Sequence, residues 1–315
     1  MELKCTREAC GNALVALGKK NPAVVVLSAD LAGSTKAGDF AKVFPERFFN
    51  MGVAEANMMN TAAGLAACGK IPFACTFAIF ASGRPWEQVR NTIAYAGLNV
   101  KIIATHGGIS VGPDGASHQG IEDLALMRII PGMTVLVPAD ALETPKAIFA
   151  AAELKGPVYI RLARAKLPVV TAPEDDFIIG RANLLENGNA ATIITCGYLV
   201  ASSLQAAELL KQEGINVAVV NFHTIKPIDE QTIITQAQKT GAVVTAEEHL
   251  VAGGLGSAVA EVLAQHYPVP IEMVGIKDRF GQSGSPEELL KEYHLMPEDI
   301  VQAVRRVIRR KISNR

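Results

Sequence analysis

The chain has 315 residues, room for about two domains of ordinary size. Thirty Lys and Arg against 31 Asp and Glu leave a formal charge of −1, which gives no field that would favour nucleic acid or an anionic membrane. Apolar residues at 49% and charged residues at 19% suit a sizeable core and not disorder, and no apolar run approaches the ~20 residues of a membrane span. The N-terminal stretch MELKCTREACGNAL has scattered charges and no apolar signal core. Five cysteines (Cys5, Cys10, Cys68, Cys75 and Cys196) are odd in number and lack CxxC spacing. They read as reduced thiols in a cytoplasmic protein, with no metal site.

In chain order, the helix Thr6–Leu17 is followed by the strand Ala23–Ser28, the helix Ala54–Cys68 and the strand Pro72–Thr76. The helix Arg84–Ala96, strand Val100–Thr105, helix Gly120–Arg128, strand Thr134–Val137, helix Ala141–Leu154 and strand Val158–Leu162 continue the alternation. Short β-branched runs between longer amphipathic ones predict an α/β unit with a parallel sheet covered on both faces. A stretch with two prolines and an acidic cluster, Lys166 to Asp176, has the composition of a linker. It leads through a short strand pair to a second α/β series. The strands are Thr192–Cys196, Asn216–Asn221, Ala242–Ala246 and Ile271–Ile276; the helices are Val200–Lys211, Asp229–Lys239, Gly256–His266 and Pro297–Arg309. The expected organisation is one domain over 1–170, a linker over 171–187 and a second, smaller domain over 188–315. The basic tail from Arg305 to Lys311 reads as cations favoured at a helix C-terminus.

Parallel sheets bind ligands beyond the carboxyl ends of their strands. There the first domain places Asp30, Glu55, Phe77 and Phe80, a long glycine-rich loop with His106, Asp114 and His118, and Arg164. Each has a structural reading when taken alone. Glu55 can be a helix-start carboxylate, and Phe77 and Phe80 can be core residues. A loop of about 14 residues is too long for a tidy connection, which favours function. No Ser sits in a nucleophile elbow and no zinc spacing occurs. Histidines, an arginine and a carboxylate gathered on one rim suit a phosphorylated, polyhydroxylated substrate.

These residues resemble a known family. Gly52-Val53-Ala54-Glu55-Ala56-Asn57-Met58, Thr76-Phe77-Ala78-Ile79-Phe80 and the run from Thr105-His106 to Asp114-Gly115-Ala116-Ser117-His118-Gln119 are similar to the pyrimidine-binding domain of transketolases and of 1-deoxyxylulose-5-phosphate synthase. Ile130-Pro131-Gly132-Met133-Thr134-Val135 and Pro138-Ala139-Asp140 continue the likeness, and Glu247-Glu248-His249 with Gly253-Gly254-Leu255-Gly256 resembles the family's C-terminal domain. The resemblance implies thiamine diphosphate, which reacts through a carbanion at its thiazolium C2. It also implies that Glu55 shares a proton with the pyrimidine N1′, that Phe77 and Phe80 stack on the aminopyrimidine, and that Asp30 lies near the cofactor. Asp114 and His118 would meet the sugar hydroxyls near the reacting carbons; His106 and Arg164 would bind the sugar phosphate, with Arg161 a structural rival. Gly83 stands where the family often has a further aromatic residue, so the wall is completed differently or the pocket is more open.

Full-length transketolases hold the cofactor's diphosphate and a divalent metal on an upstream domain through a Gly-Asp-Gly motif, which this sequence lacks. The resemblance therefore implies the C-terminal subunit of a split transketolase. It would transfer a two-carbon ketol unit between sugar phosphates, and an N-terminal partner chain would supply the diphosphate domain with Mg2+ or Ca2+. A dimer or α2β2 assembly follows, with the isolated chain inactive. The alternatives are the β subunit of another thiamine-diphosphate enzyme, such as a 2-oxoacid dehydrogenase E1 component, and a non-catalytic regulatory subunit.

Overall fold

Uninterrupted apolar strands need cover on both faces, and in the computed structural model, which describes residues 2–313, they have it. The first eight strands are β1 (Leu3–Cys5), β2 (Val24–Ser28), β3 (Phe48–Asn50), β4 (Ile71–Phe77), β5 (Lys101–Thr105), β6 (Thr134–Leu136), β7 (Val158–Arg161) and β8 (Lys166–Pro168). Alternate residues of β2 enter two different cores. Val24 and Val26 pack with Leu14 and Leu17 of the first helix, Thr6–Lys20; Val25 and Leu27 pack with Met58 and Met59 of the helix Glu55–Ala67. The period-2 pleat thus explains why a strand that reads as a solid apolar run is buried throughout.

The second series adds β9 (Asn183–Glu186), β10 (Thr192–Thr195), β11 (Ala218–Asn221), β12 (Thr224–Lys226), β13 (Val243–Leu250) and β14 (Ile271–Ile276). The large sheet runs β12-β6-β7-β5-β4-β2-β3, and the smaller one β14-β13-β10-β11-β9. All pairs are parallel except β12 with β6 and β9 with β11; β1 and β8 form a separate antiparallel ribbon. The chain leaves β2 for β3 on one side, while β4 and β5 build the other. Strand order therefore reverses between β2 and β4, the place where such sheets bind ligands.

The two series are joined by more than a linker. β12, from the second series, pairs with β6 of the first, and one apolar core contains Val25, Ile102 and Leu124 together with Ile194, Phe222 and Val262. The stretch expected as a linker over 171–187 is also more ordered than its composition suggested. The buried Asp140 carboxylate accepts bonds from the Val170 and Thr171 amides, Lys146 Nζ donates to the Ala172 and Asp175 carbonyls, and β9 lies inside the stretch. Where a short strand pair was expected, β9 alone is a strand.

Two further differences bear on the site. The expected helix Arg84–Ala96 begins only after a turn at Gly83–Pro85, and its centre, Gln88–Ala94, winds as a π-helix in which Tyr95 N donates to Arg90 O. The strand expected to stop at Ala246 continues to Leu250, carrying three buried polar residues, Glu247, Glu248 and His249. The basic tail lies on the last helix, Pro297–Ser313: Arg305 pairs with Glu213, Arg306 and Arg310 pair with Glu272, and Lys311 Nζ donates to Thr240 O.

Candidate active site

Glu55 opens its helix at the carboxyl end of the sheet, where a negative charge is favoured by the helix dipole. It is only 4% exposed, and its Oε1 accepts a 2.8 Å bond from Nη1 of Arg84, a half-exposed residue in the turn after the helix Ala78–Ser82. The Arg84 guanidinium also lies over the Phe80 ring, 4.1 Å from its centroid. Phe77 ends β4 and Phe80 sits one helical turn later, so their rings come close to parallel (12°) at 5.7 Å. Arg84, next to Gly83 in the chain, thus covers one face of the Phe80 ring. A Cβ on Gly83 would stand 2.9 Å from the Ile79 carbonyl, so a larger residue would strain this turn.

The aromatic pair touches the long loop. His106 stacks on Phe77 at 3.7 Å, and His118 meets Phe80 edge-on at 5.3 Å. His106 follows β5 with φ of 59° and is buried; its Nδ1 is engaged by Thr105 Oγ1 at 2.8 Å, which leaves Nε2 for other partners. Burial and the neighbouring charges of Arg7, Arg164 and His118 push its pKa down to about 3, so the ring is neutral at any working pH. His118 is half-buried, with Nδ1 3.0 Å from Ser117 Oγ. Asp114 is exposed on the same loop.

Arg164 is half-buried and donates to the Val111 carbonyl of that loop at 2.9 Å. Arg7, from the first helix, donates to the Arg164 and Ser34 carbonyls, and its Nε is buried without a partner. Arg161 is structural: buried, it pairs with Asp123 at 3.0 Å and donates to the Gly120 and Glu248 carbonyls. Asp30, exposed at φ 59°, exchanges bonds with Asn50 across the ends of β2 and β3.

Glu55 therefore reaches the wall through Arg84, and Phe80, Phe77, His106 and His118 form one chain of ring contacts. Arg164 is tied to its loop, whereas Asp30 is tied to Asn50. Arg84 and Arg7 had no sequence signal, since an isolated arginine is most often solvated. A buried carboxylate beside two parallel rings fits the aminopyrimidine of thiamine diphosphate: an acidic group for a ring nitrogen and flat apolar faces for the ring.

Comparison with known proteins agrees. Residues 4–170 match the family model for the transketolase pyrimidine-binding domain, and residues 180–300 match that for the transketolase C-terminal domain. A Methanocaldococcus jannaschii protein provisionally named a transketolase C-terminal section is 50% identical over 304 residues, 96% of this chain and 95% of its own. The 6-deoxy-6-sulfo-D-fructose transketolase subunit SqwH of Clostridium sp. strain MSTE9 is 44% identical, over 95% of this chain and 92% of its own. The solved structure of a split-gene transketolase, an inactive β4 tetramer, superposes with a TM-score of 0.92 at 55% identity, covering 98% of this chain and 99% of that one. With both of its halves matched and the aromatic–carboxylate site in place, the chain belongs to the transketolase family and carries that family's pyrimidine-binding and C-terminal domains.

Proposed function

We propose that this chain is one half of a two-chain, thiamine-diphosphate-dependent transketolase that moves a two-carbon ketol unit between sugar phosphates. When bound, the cofactor supplies the thiazolium carbon that carries that unit. In this reading Glu55 shares a proton with the pyrimidine N1′ once the cofactor is bound, and Phe77 and Phe80 hold the ring flat. Asp30, tied to Asn50 at the ends of β2 and β3, would stand near the cofactor.

His118 and Asp114 take the sugar hydroxyls near the reacting carbons, and His106 offers its free Nε2 as a neutral partner. Because His106 carries no charge, the anionic end of the substrate must be neutralised by others. Arg164, which bonds the Val111 carbonyl of the loop, and Arg7, which bonds the Arg164 carbonyl, would supply that charge. The diphosphate and a divalent metal belong to an N-terminal partner chain, and the working assembly is a dimer or α2β2 unit with the site between chains. The solved relative described as an inactive β4 tetramer supports this reading.

The contact between the Glu55–Arg84 pair and the Phe77/Phe80 wall carries the proposal. Glu55→Gln keeps the shape and removes the acid. In the reconstituted complex it is expected to lower ketol transfer by about 100-fold or more, the usual scale for a lost proton donor. Activity within about twofold of the parent complex would overturn the assignment.

A further inference from the structure

The loop from His106 to Gln119 carries three candidate substrate residues but little regular structure of its own, a single 3-10 turn over Ile109–Val111. Beyond the Arg164 bond to the Val111 carbonyl, its hold comes from the second α/β series. Glu248, on β13, is 2% exposed, and its Oε1 accepts a 2.5 Å bond from the Ser110 amide. The two segments meet so closely that a Cβ on Gly108, where φ is +84°, would overlap the Glu248 carboxyl group. The same strand also grips the loop's far end. The Glu248 carbonyl accepts from Arg161 Nη2, which also donates to Gly120 O, and Leu250 N donates to Ile121 O. Gln119 Nε2 completes the hold with bonds to the carbonyls of Ile109, Gly112 and Gln282.

We propose that Glu248 is a positioning residue: from the second domain it fixes, through the Ser110 amide, the loop that presents His106, Asp114 and His118. This rests on the reading of that loop as the substrate loop. The requirement is an acceptor, not a charge. Glu248 Oε2 is buried with no hydrogen-bond partner, and burial pushes the carboxyl up to about 7 against the pull of Arg161. A neutral side chain with the same acceptor should serve. The C-terminal domain thereby has a part in substrate recognition without touching substrate.

Glu248→Gln keeps the acceptor, while Glu248→Met fills the space without one. In the full-length chain, hydrogen exchange of the amides over 106–119 is expected to speed up by about tenfold in Glu248→Met, with β5 and β7 unchanged, and to stay near parent in Glu248→Gln. In the assembled enzyme, Glu248→Met is expected to raise KM for the sugar phosphate by about tenfold with kcat within a few fold, and Glu248→Gln to restore it. Glu248→Leu also removes the acceptor and should reproduce the loop-confined change; it decides the matter if Glu248→Met does not fold. Unchanged exchange in the loop would overturn the clamp. Faster exchange with an unchanged KM would overturn the positioning role, and a parent complex without ketol transfer would sink the functional reading while leaving the exchange result to judge the clamp.

Discussion

Burial and two guanidinium groups hold His106 neutral, with its pKa pushed down to about 3 from an ordinary value of about 6.5. Below about pH 6.5 the unfolded chain takes up a proton that the folded chain refuses. The residue's contribution to stability is therefore present above that pH and falls by about 1.4 kcal/mol per pH unit as pH drops toward 3. Glu143 and Glu248, pushed up to about 7 by burial, act with the opposite sign. Their folded forms keep protons that the unfolded chain loses above about pH 4.5, so their contribution is lost as pH rises toward 7. The two effects oppose each other between about pH 4.5 and 6.5, so the His106 share is read by difference. The stability of the parent minus that of His106→Gln should rise by about 2 kcal/mol between pH 4.5 and 6 in urea unfolding. An unchanged difference would contradict the environment described for this histidine. Glu55, both phenylalanines and both histidines were legible because they collect at the ends of parallel strands. Arg84 and Arg7 were not, because only the fold shows that one closes on Glu55 and the other on the Arg164 carbonyl.

At the scale of elements, polar residues in apolar surroundings explain both the signature motifs and the misplaced boundaries. Pro138-Ala139-Asp140 reads in the sequence only as part of a family likeness. In the fold, the Asp140 carboxylate accepts from the Leu142 and Glu143 amides at the start of the helix Glu143–Glu153 and from the Val170 and Thr171 amides as the chain leaves the first sheet. It ties a helix start to the exit segment, which explains why the proline-rich, acidic stretch after it is not a loose tether. Asp140→Ala leaves four amides without that acceptor and should cost about 3 kcal/mol, with Asp140→Asn losing about half as much. Urea unfolding measures both, and a loss below about 1 kcal/mol for the alanine variant would contradict the assigned role. The strand β13 ran past its expected end for a related reason. Glu247, the first residue past the expected end, is satisfied by the Leu255 and Gly256 amides, and Glu248 accepts from the Ser110 amide. Alternation of apolar runs fixed the long elements well, but such distant partners leave no local trace.

Across the whole molecule, two α/β sheets share one apolar core, exchange the strand β12 and meet over the histidine loop. This makes the site a property of both halves of the chain. The site also borders exposed apolar surface: Val53, two residues before Glu55, is 72% exposed. In the proposed assembly, a partner chain that brings the diphosphate end of the cofactor would cover this edge. The near-neutral composition that first excluded nucleic acid and membranes is thus consistent with a surface given partly to another protein. The most direct measurement titrates the purified chain with the proposed N-terminal partner in the presence of thiamine diphosphate and Mg2+, following ketol transfer between sugar phosphates. The expected result is no activity from either chain alone and a rise that saturates at one partner per chain. Full activity from this chain by itself, or none from the saturated mixture, would contradict the account.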